Sequence, residues 1–231
     1  MRIQMVSDFT VDNSCPLFVM FHGYGNNESE MIRIINAVYA NGNNPATPNE
    51  ATPNEATPDE ASPSAQLNAS GAAKPNYVSF RGTYARPYMG GNYWYPDGCS
   101  IEERQSECQA VGEAVVQLVT TPLFTNQRKI LVGFSQGGYM SYRLVKAYPN
   151  LFDAAILLSP SFKGEEKSVL ESSTRFFLAY GAKDYTIPLE DQRNAHTMLK
   201  NAGHLTYREY SDMGHAICDE EIADIRQFLQ H

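Results

Sequence analysis

Gly133-Phe134-Ser135-Gln136-Gly137 sets a serine between two glycines at the junction of two different patterns. Before it runs Lys129-Ile130-Leu131-Val132, whose β-branched residues predict a buried strand. After it, Tyr139 to Tyr148 predicts a helix stopped by Pro149. A serine at so sharp a turn is held in a strained backbone conformation that projects its hydroxyl above the sheet edge. The helix behind it offers unpaired N–H groups and partial positive charge. Such a serine is suited to attack a carbonyl carbon, provided a base removes its proton.

Five histidines could serve: His22, His196, His204, His215 and His231. His196 falls within a predicted helix, His204 at a strand start and His231 at the last position. His22 lies in a glycine-rich loop that it would brace by hydrogen bonding. His215 follows a predicted strand, in Ser211-Asp212-Met213-Gly214-His215, and its imidazole titrates near neutral pH. Asp184, in Gly181-Ala182-Lys183-Asp184, follows another strand and could orient that ring. Asp212 is its rival by chain position, whereas Asp153 precedes a strand and so falls at the wrong edge. Attack on an ester would create an oxyanion needing two aimed donors. The N–H of Gln136 is one, and the N–H of Tyr24 is the expected second. Tyr93 and Trp94, from an aromatic loop at 84–95, are expected with His22 to line the substrate pocket. Gly23-Tyr24-Gly25 has neither the third glycine nor the lysine of a phosphate-binding loop.

The elements that must position these groups follow from hydropathy. Leu17 to Phe21 is an unbroken apolar run, expected as a central strand buried on both faces. Glu28 to Ala40 carries Met31, Ile34, Ile35 and Val38 at helical spacing. Asn76 to Phe80 predicts a strand, and Ser100 caps a helix reaching about Val119, with a buried stripe of Cys108, Val111, Val115 and Leu118. Strands at 153–159, 175–180 and 206–210 alternate with helices at 189–202 and 217–229, the last with Ile222, Ile225 and Leu229 on one face. A weak edge strand is expected within residues 3–11. Alternation of this kind predicts an α/β fold: a mostly parallel sheet of about six to seven strands with helices on both faces.

The 231 residues, 42% hydrophobic and 19% charged, suit one domain spanning 1–231. It is interrupted at about 42–74, where ATPNE, ATPNE, ATPDE and ASPSA follow one another from residue 46. A proline in every copy and almost nothing apolar to bury predict a disordered insertion. Its acids, Glu50, Glu55, Asp59 and Glu60, carry four of the net eight negative charges, so acidity says little about substrate. The net charge of −8 disfavours nucleic acid and anionic membranes as partners. No apolar run approaches the roughly 20 residues of a membrane span, so no integral membrane association is expected. No secretory signal is read at the N-terminus. Cys15, Cys99, Cys108 and Cys218 show no metal spacing, so free thiols and a cytoplasmic location are expected.

Five segments, in this order, carry a family resemblance: Phe21-His22-Gly23-Tyr24-Gly25, Tyr93-Trp94-Tyr95, Gly133 to Gly138, Gly181 to Pro188, and Gly214-His215-Ala216-Ile217. With them the chain resembles the phospholipase/carboxylesterase branch of the α/β-hydrolases, which includes carboxylesterases, lysophospholipase-like enzymes and acyl-protein thioesterases. The resemblance implies an α/β-hydrolase fold, a Ser135–Asp184–His215 triad, an oxyanion hole from Tyr24 and Gln136, and no metal or organic cofactor. It implies a serine carboxylesterase acting on a small-molecule ester of short chain, as a monomer or homodimer. A thioesterase or lysophospholipase would use the same triad. A non-catalytic binding protein of this fold would have lost one of its members, and all three are present. The departures are the proline-rich insertion and a short N-terminal region.

Overall fold

Side chains of alternate residues on β2 (Leu17–Phe21) point to opposite faces of a sheet, and both faces are dry. Leu17, Val19 and Phe21 enter one core, and Phe18 and Met20 the other. The strands β6 (Lys129–Phe134), β7 (Ala154–Leu158) and β8 (Arg175–Gly181) are buried in the same way. With β1 (Gln4–Asp8), β3 (Asn76–Arg81) and β9 (Leu205–Tyr210) they form a seven-stranded sheet in the order β1-β3-β2-β6-β7-β8-β9. All neighbours are parallel except β1, which pairs antiparallel with β3 at one edge. This computed structural model describes residues 3–10, 15–40 and 74–230. Apart from Lys74, the insertion expected at 42–74 lies outside the described residues.

Helices α1 (Glu28–Tyr39) and α5 (Asp219–Leu229) cover one face. Helices α2 (Ile101–Val119), α3 (Gln136–Ala147) and α4 (Leu189–Ala202) cover the other. Ser100 caps α2 in a reciprocal box with Glu103. Two stripes differ from expectation by one residue. Val119 rather than Leu118 is the buried end of α2, and Phe228 rather than Leu229 that of α5. In each case a period of 3.6 leaves two adjacent apolar residues competing for one seat. The aromatic loop holds a short ribbon, β4 (Tyr84–Ala85) paired with β5 (Asn92–Tyr93), where no strand was expected.

Strand order fixes where chemistry can happen. From β2 the chain crosses to β3 on one side, and β6 adds on the other. The direction of winding reverses between β2 and β6, and a crevice opens there beyond their carboxyl ends. Phe21 pairs with Gly133 in that parallel ladder, so the loop after Phe21 and the turn at Ser135 leave the sheet side by side. Among the described residues, no helix is long and apolar enough to cross a membrane.

Candidate active site

Ser135 sits between β6 and α3 with φ 53° and ψ −114°, a left-handed conformation that costs a non-glycine residue about 1–3 kcal/mol. Its N–H donates to the Leu158 carbonyl at 2.8 Å, which ties the turn to the end of β7. The glycines around it are dictated by contact. A Cβ on Gly133 would lie 2.1 Å from the Gly137 carbonyl oxygen, and one on Gly137 would lie 2.0 Å from the Phe21 carbonyl oxygen. Only bare backbone lets the turn close this tightly against β2.

The loop after β9 carries His215 back over the sheet edge. Its Nε2 lies 3.0 Å from Ser135 Oγ, and its Nδ1 lies 2.8 Å from Asp184 Oδ2. Phe134 packs against the imidazole with ring centroids 4.9 Å apart. Asp184 is buried, and its other oxygen accepts from the N–H groups of Thr186 at 2.9 Å and Ile187 at 3.1 Å. The carboxylate is thus fixed by its own turn before it meets the ring. The rival acids lie elsewhere. Asp212 is exposed and pairs with Lys183 at 2.7 Å, while Asp153 accepts from the Lys129 N–H at the opposite end of the strands. Of the other histidines, His196 on α4 packs against Tyr207, and His231 is outside the described residues.

The N–H groups of Tyr24 and Gln136 have no hydrogen-bond partner among the described residues, and both residues line the cleft that holds Ser135 and His215. Glu30 on α1 accepts from the Gly23 N–H at 2.7 Å and from the Asn26 side chain. Gly25 N–H donates to Asn92 on β5 at 2.8 Å. The loop bearing Tyr24 is therefore held from both sides.

The expected pocket residues are corrected. His22 is fully buried and is not among the residues lining the cleft; its imidazole braces the loop, as its glycine-rich setting predicts. Nε2 accepts from the Gly82 N–H at 2.8 Å, so Nδ1 carries the proton and donates to the Gly23 carbonyl at 2.7 Å. Burial lowers its pKa to about 4, which keeps it neutral in that role. Trp94 is also buried, packing on Phe21 and donating from Nε1 to the His22 carbonyl at 2.8 Å. Tyr93 stacks between Tyr24 and Tyr84 on the ribbon. None of the three lines the cleft.

The wall is instead built from Tyr95 to Cys99, Arg104, Ser161, Lys163, Thr186 and Ile187, around about 510 Å³. Sequence reading missed these residues and missed the Gln136 side chain, which clamps the wall. Its Oε1 accepts from the Trp94 N–H at 2.9 Å, and its Nε2 donates to the Tyr95 carbonyl at 3.2 Å. One signal was present: Arg104 stands four residues before Cys108, a charge on the buried face of α2. Among the described residues, no group of His, Cys, Asp and Glu is placed to hold a metal ion.

Chemically, the arrangement can move a proton from the serine to the imidazole and present a neighbouring pair of N–H groups to an oxyanion. Comparison with known proteins agrees in kind. Residues 61–231 match the model of the phospholipase/carboxylesterase family. Acyl-protein thioesterase 1 of Emericella nidulans is 32% identical over 111 residues, covering 44% of this chain and 46% of the relative. The Bacillus cereus carboxylesterase structure superposes with a TM-score of 0.70 at 16% identity, covering 99% of this chain and 93% of that one. A Mesorhizobium loti carboxylesterase gives 0.67 at 16% identity, covering 93% and 88%. The chain belongs to the phospholipase/carboxylesterase family of α/β-hydrolases.

Proposed function

We propose that this protein is a serine carboxylesterase that hydrolyses small, short-chain carboxylic esters through an acyl-enzyme. The observation that carries the reading is the hydrogen-bonded chain from Asp184 through His215 to Ser135. Ser135 Oγ attacks the ester carbonyl carbon as His215 Nε2 takes its proton. The tetrahedral oxyanion is met by the N–H groups of Tyr24 and Gln136. His215 then returns the proton to the leaving alkoxide, and an alcohol departs. Water enters next and loses a proton to His215. Its attack on the acyl carbon frees the acid and restores Ser135. Asp184 keeps the ring in the tautomer with Nε2 bare and stabilises the imidazolium during both halves.

The test is turnover of a chain-length series of esters by the wild-type protein and by Ser135→Ala. The variant should lose on the order of a million-fold in kcat. Equal turnover by the two proteins would contradict the mechanism. The match to an acyl-protein thioesterase favours a second reading, in which the scissile bond is a thioester. Oxygen and sulfur esters of one acyl chain, compared by kcat/KM, separate the two.

A further inference from the structure

Among the described residues, Arg104 is the one buried cation of the cleft wall, at 8% exposure, in the same cleft as Ser135. A buried guanidinium normally has a carboxylate beside it, since an unpaired charge is costly to desolvate. Arg104 has none: among the described residues it forms no ion pair. Its surroundings are the faces of Tyr139, 3.4 Å from ring centroid to Cζ, and Tyr95, at 5.1 Å. One donor, Nη2, reaches the Ser161 carbonyl, and Nε is buried with no hydrogen-bond partner among the described residues. The acids nearby are engaged elsewhere. Glu165 accepts from Tyr139, Tyr142, Arg143, Lys146 and Ser168, while Glu103 completes the cap of α2 and Asp191 accepts from Ser161. Asp97, also on the cleft wall, is exposed, and among the described residues it makes no ion pair with Arg104.

Position makes the charge stranger still. Arg104 lies in the first turns of α2, where the helix dipole disfavours a cation. Neither local helix stability nor an ion pair accounts for it, whereas a negatively charged ligand in the cleft would. We propose that Arg104 is a specificity residue that receives a carboxylate, so that the preferred substrate is an ester also bearing a carboxylate group. The guanidinium fork matches a planar carboxylate, and its single charge matches a single negative charge. A phosphate monoester, near −2, would call for a second buried cation, and Lys163 on the same wall is exposed. This inference rests on the esterase reading of Ser135.

Two matched pairs test it, one for each side of the ester bond: monoethyl glutarate against ethyl pentanoate, and the acetate ester of γ-hydroxybutyrate against butyl acetate. In the wild-type protein the charged member of at least one pair should have the higher kcat/KM. Arg104→Met should lower that charged-to-neutral ratio by about tenfold to a hundredfold. Arg104→Lys, which keeps a cation over Tyr139, should fall between. A ratio untouched by Arg104→Met in both pairs would overturn the assignment and leave the esterase reading standing. Should Arg104→Met fail to fold, the wild-type protein alone decides: glutarate should inhibit butyl acetate hydrolysis more strongly than neutral glutaramide, and equal inhibition overturns the proposal. Calorimetry of glutarate and glutaramide binding applies the same criterion if no ester is turned over, a result that would itself count against the esterase reading.

Discussion

Asp184 meets His215 through one oxygen, 2.8 Å from Nδ1, while its other oxygen is held by the N–H groups of Thr186 and Ile187. The acid is therefore positioned by the turn that carries it, and it in turn fixes which imidazole nitrogen faces Ser135. Asp184→Asn keeps the shape and presents an amide donor or a weaker acceptor to Nδ1. Its kcat for ester hydrolysis should fall about ten-thousandfold, as expected when the wrong tautomer is favoured. Asp212→Asn, which removes an exposed partner of Lys183, should leave kcat near wild type. The reverse ranking would move the orienting role to Asp212.

The close passage of α3 under β2 depends on Gly137. A methyl group there would meet the Phe21 carbonyl oxygen at 2.0 Å, and neither backbone segment is free to retreat. Gly137→Ala should cost about 3 kcal/mol, the upper part of the usual overpacking range, and lower the thermal midpoint by about 10 °C. An unchanged midpoint would show that the turn relaxes at no cost.

Gln136 lends its side chain to the cleft wall. Gln136→Ala keeps the backbone N–H but leaves the N–H of the buried Trp94 without its partner. Stability should drop by about 2 kcal/mol in urea unfolding, and KM should rise as the Tyr95 segment loosens. A variant with wild-type stability and KM would show that the clamp contributes nothing.

Much of this was legible because two periodicities agree with the fold. Leu17–Phe21, Lys129–Val132 and Ala154–Leu158 are apolar at every or nearly every position, as strands covered on both faces must be. Ser135 and Asp184 each follow such a strand, and His215 follows the more polar edge strand β9, so the parallel sheet brings all three loops to one edge. The cleft wall was not legible. Ribbon strands of two residues are too short to show a period. His22 braces its loop as its glycine-rich setting predicts, but His22 and Trp94 were also placed in the pocket, because aromatic residues in a loop look available to a ligand. In the folded chain they are buried against Phe21 and Gly82. Arg104 was passed over because α2 was read by its apolar stripe, which an arginine at the same spacing interrupts.

Glu221, in the first turn of α5, is fully buried, and among the described residues neither of its oxygens has a hydrogen-bond partner within bonding geometry. Burial raises its pKa to about 8. The Cys218 N–H offsets part of that rise, and the charge of Asp224 adds to it. In the unfolded chain the group titrates at about 4.3. Between those values the native state keeps a proton that the unfolded state has lost. Stability is thus full at low pH and falls as pH climbs towards about 8. From about pH 5 to about pH 8 the wild-type protein should lose on the order of 3 kcal/mol relative to Glu221→Gln in urea unfolding. Parallel stability curves for the two proteins would show that Glu221 is already ionised in the native state.

The central claim is that Ser135 is an activated nucleophile, and a fluorophosphonate tests it without any choice of substrate. The reagent forms a stable phosphonyl adduct with a serine whose own site has activated it, losing fluoride in the process. Intact mass followed by peptide mapping should find one adduct, on Ser135, and none in His215→Ala. A well-folded wild-type protein that stays unmodified, or one labelled equally without His215, would contradict the account.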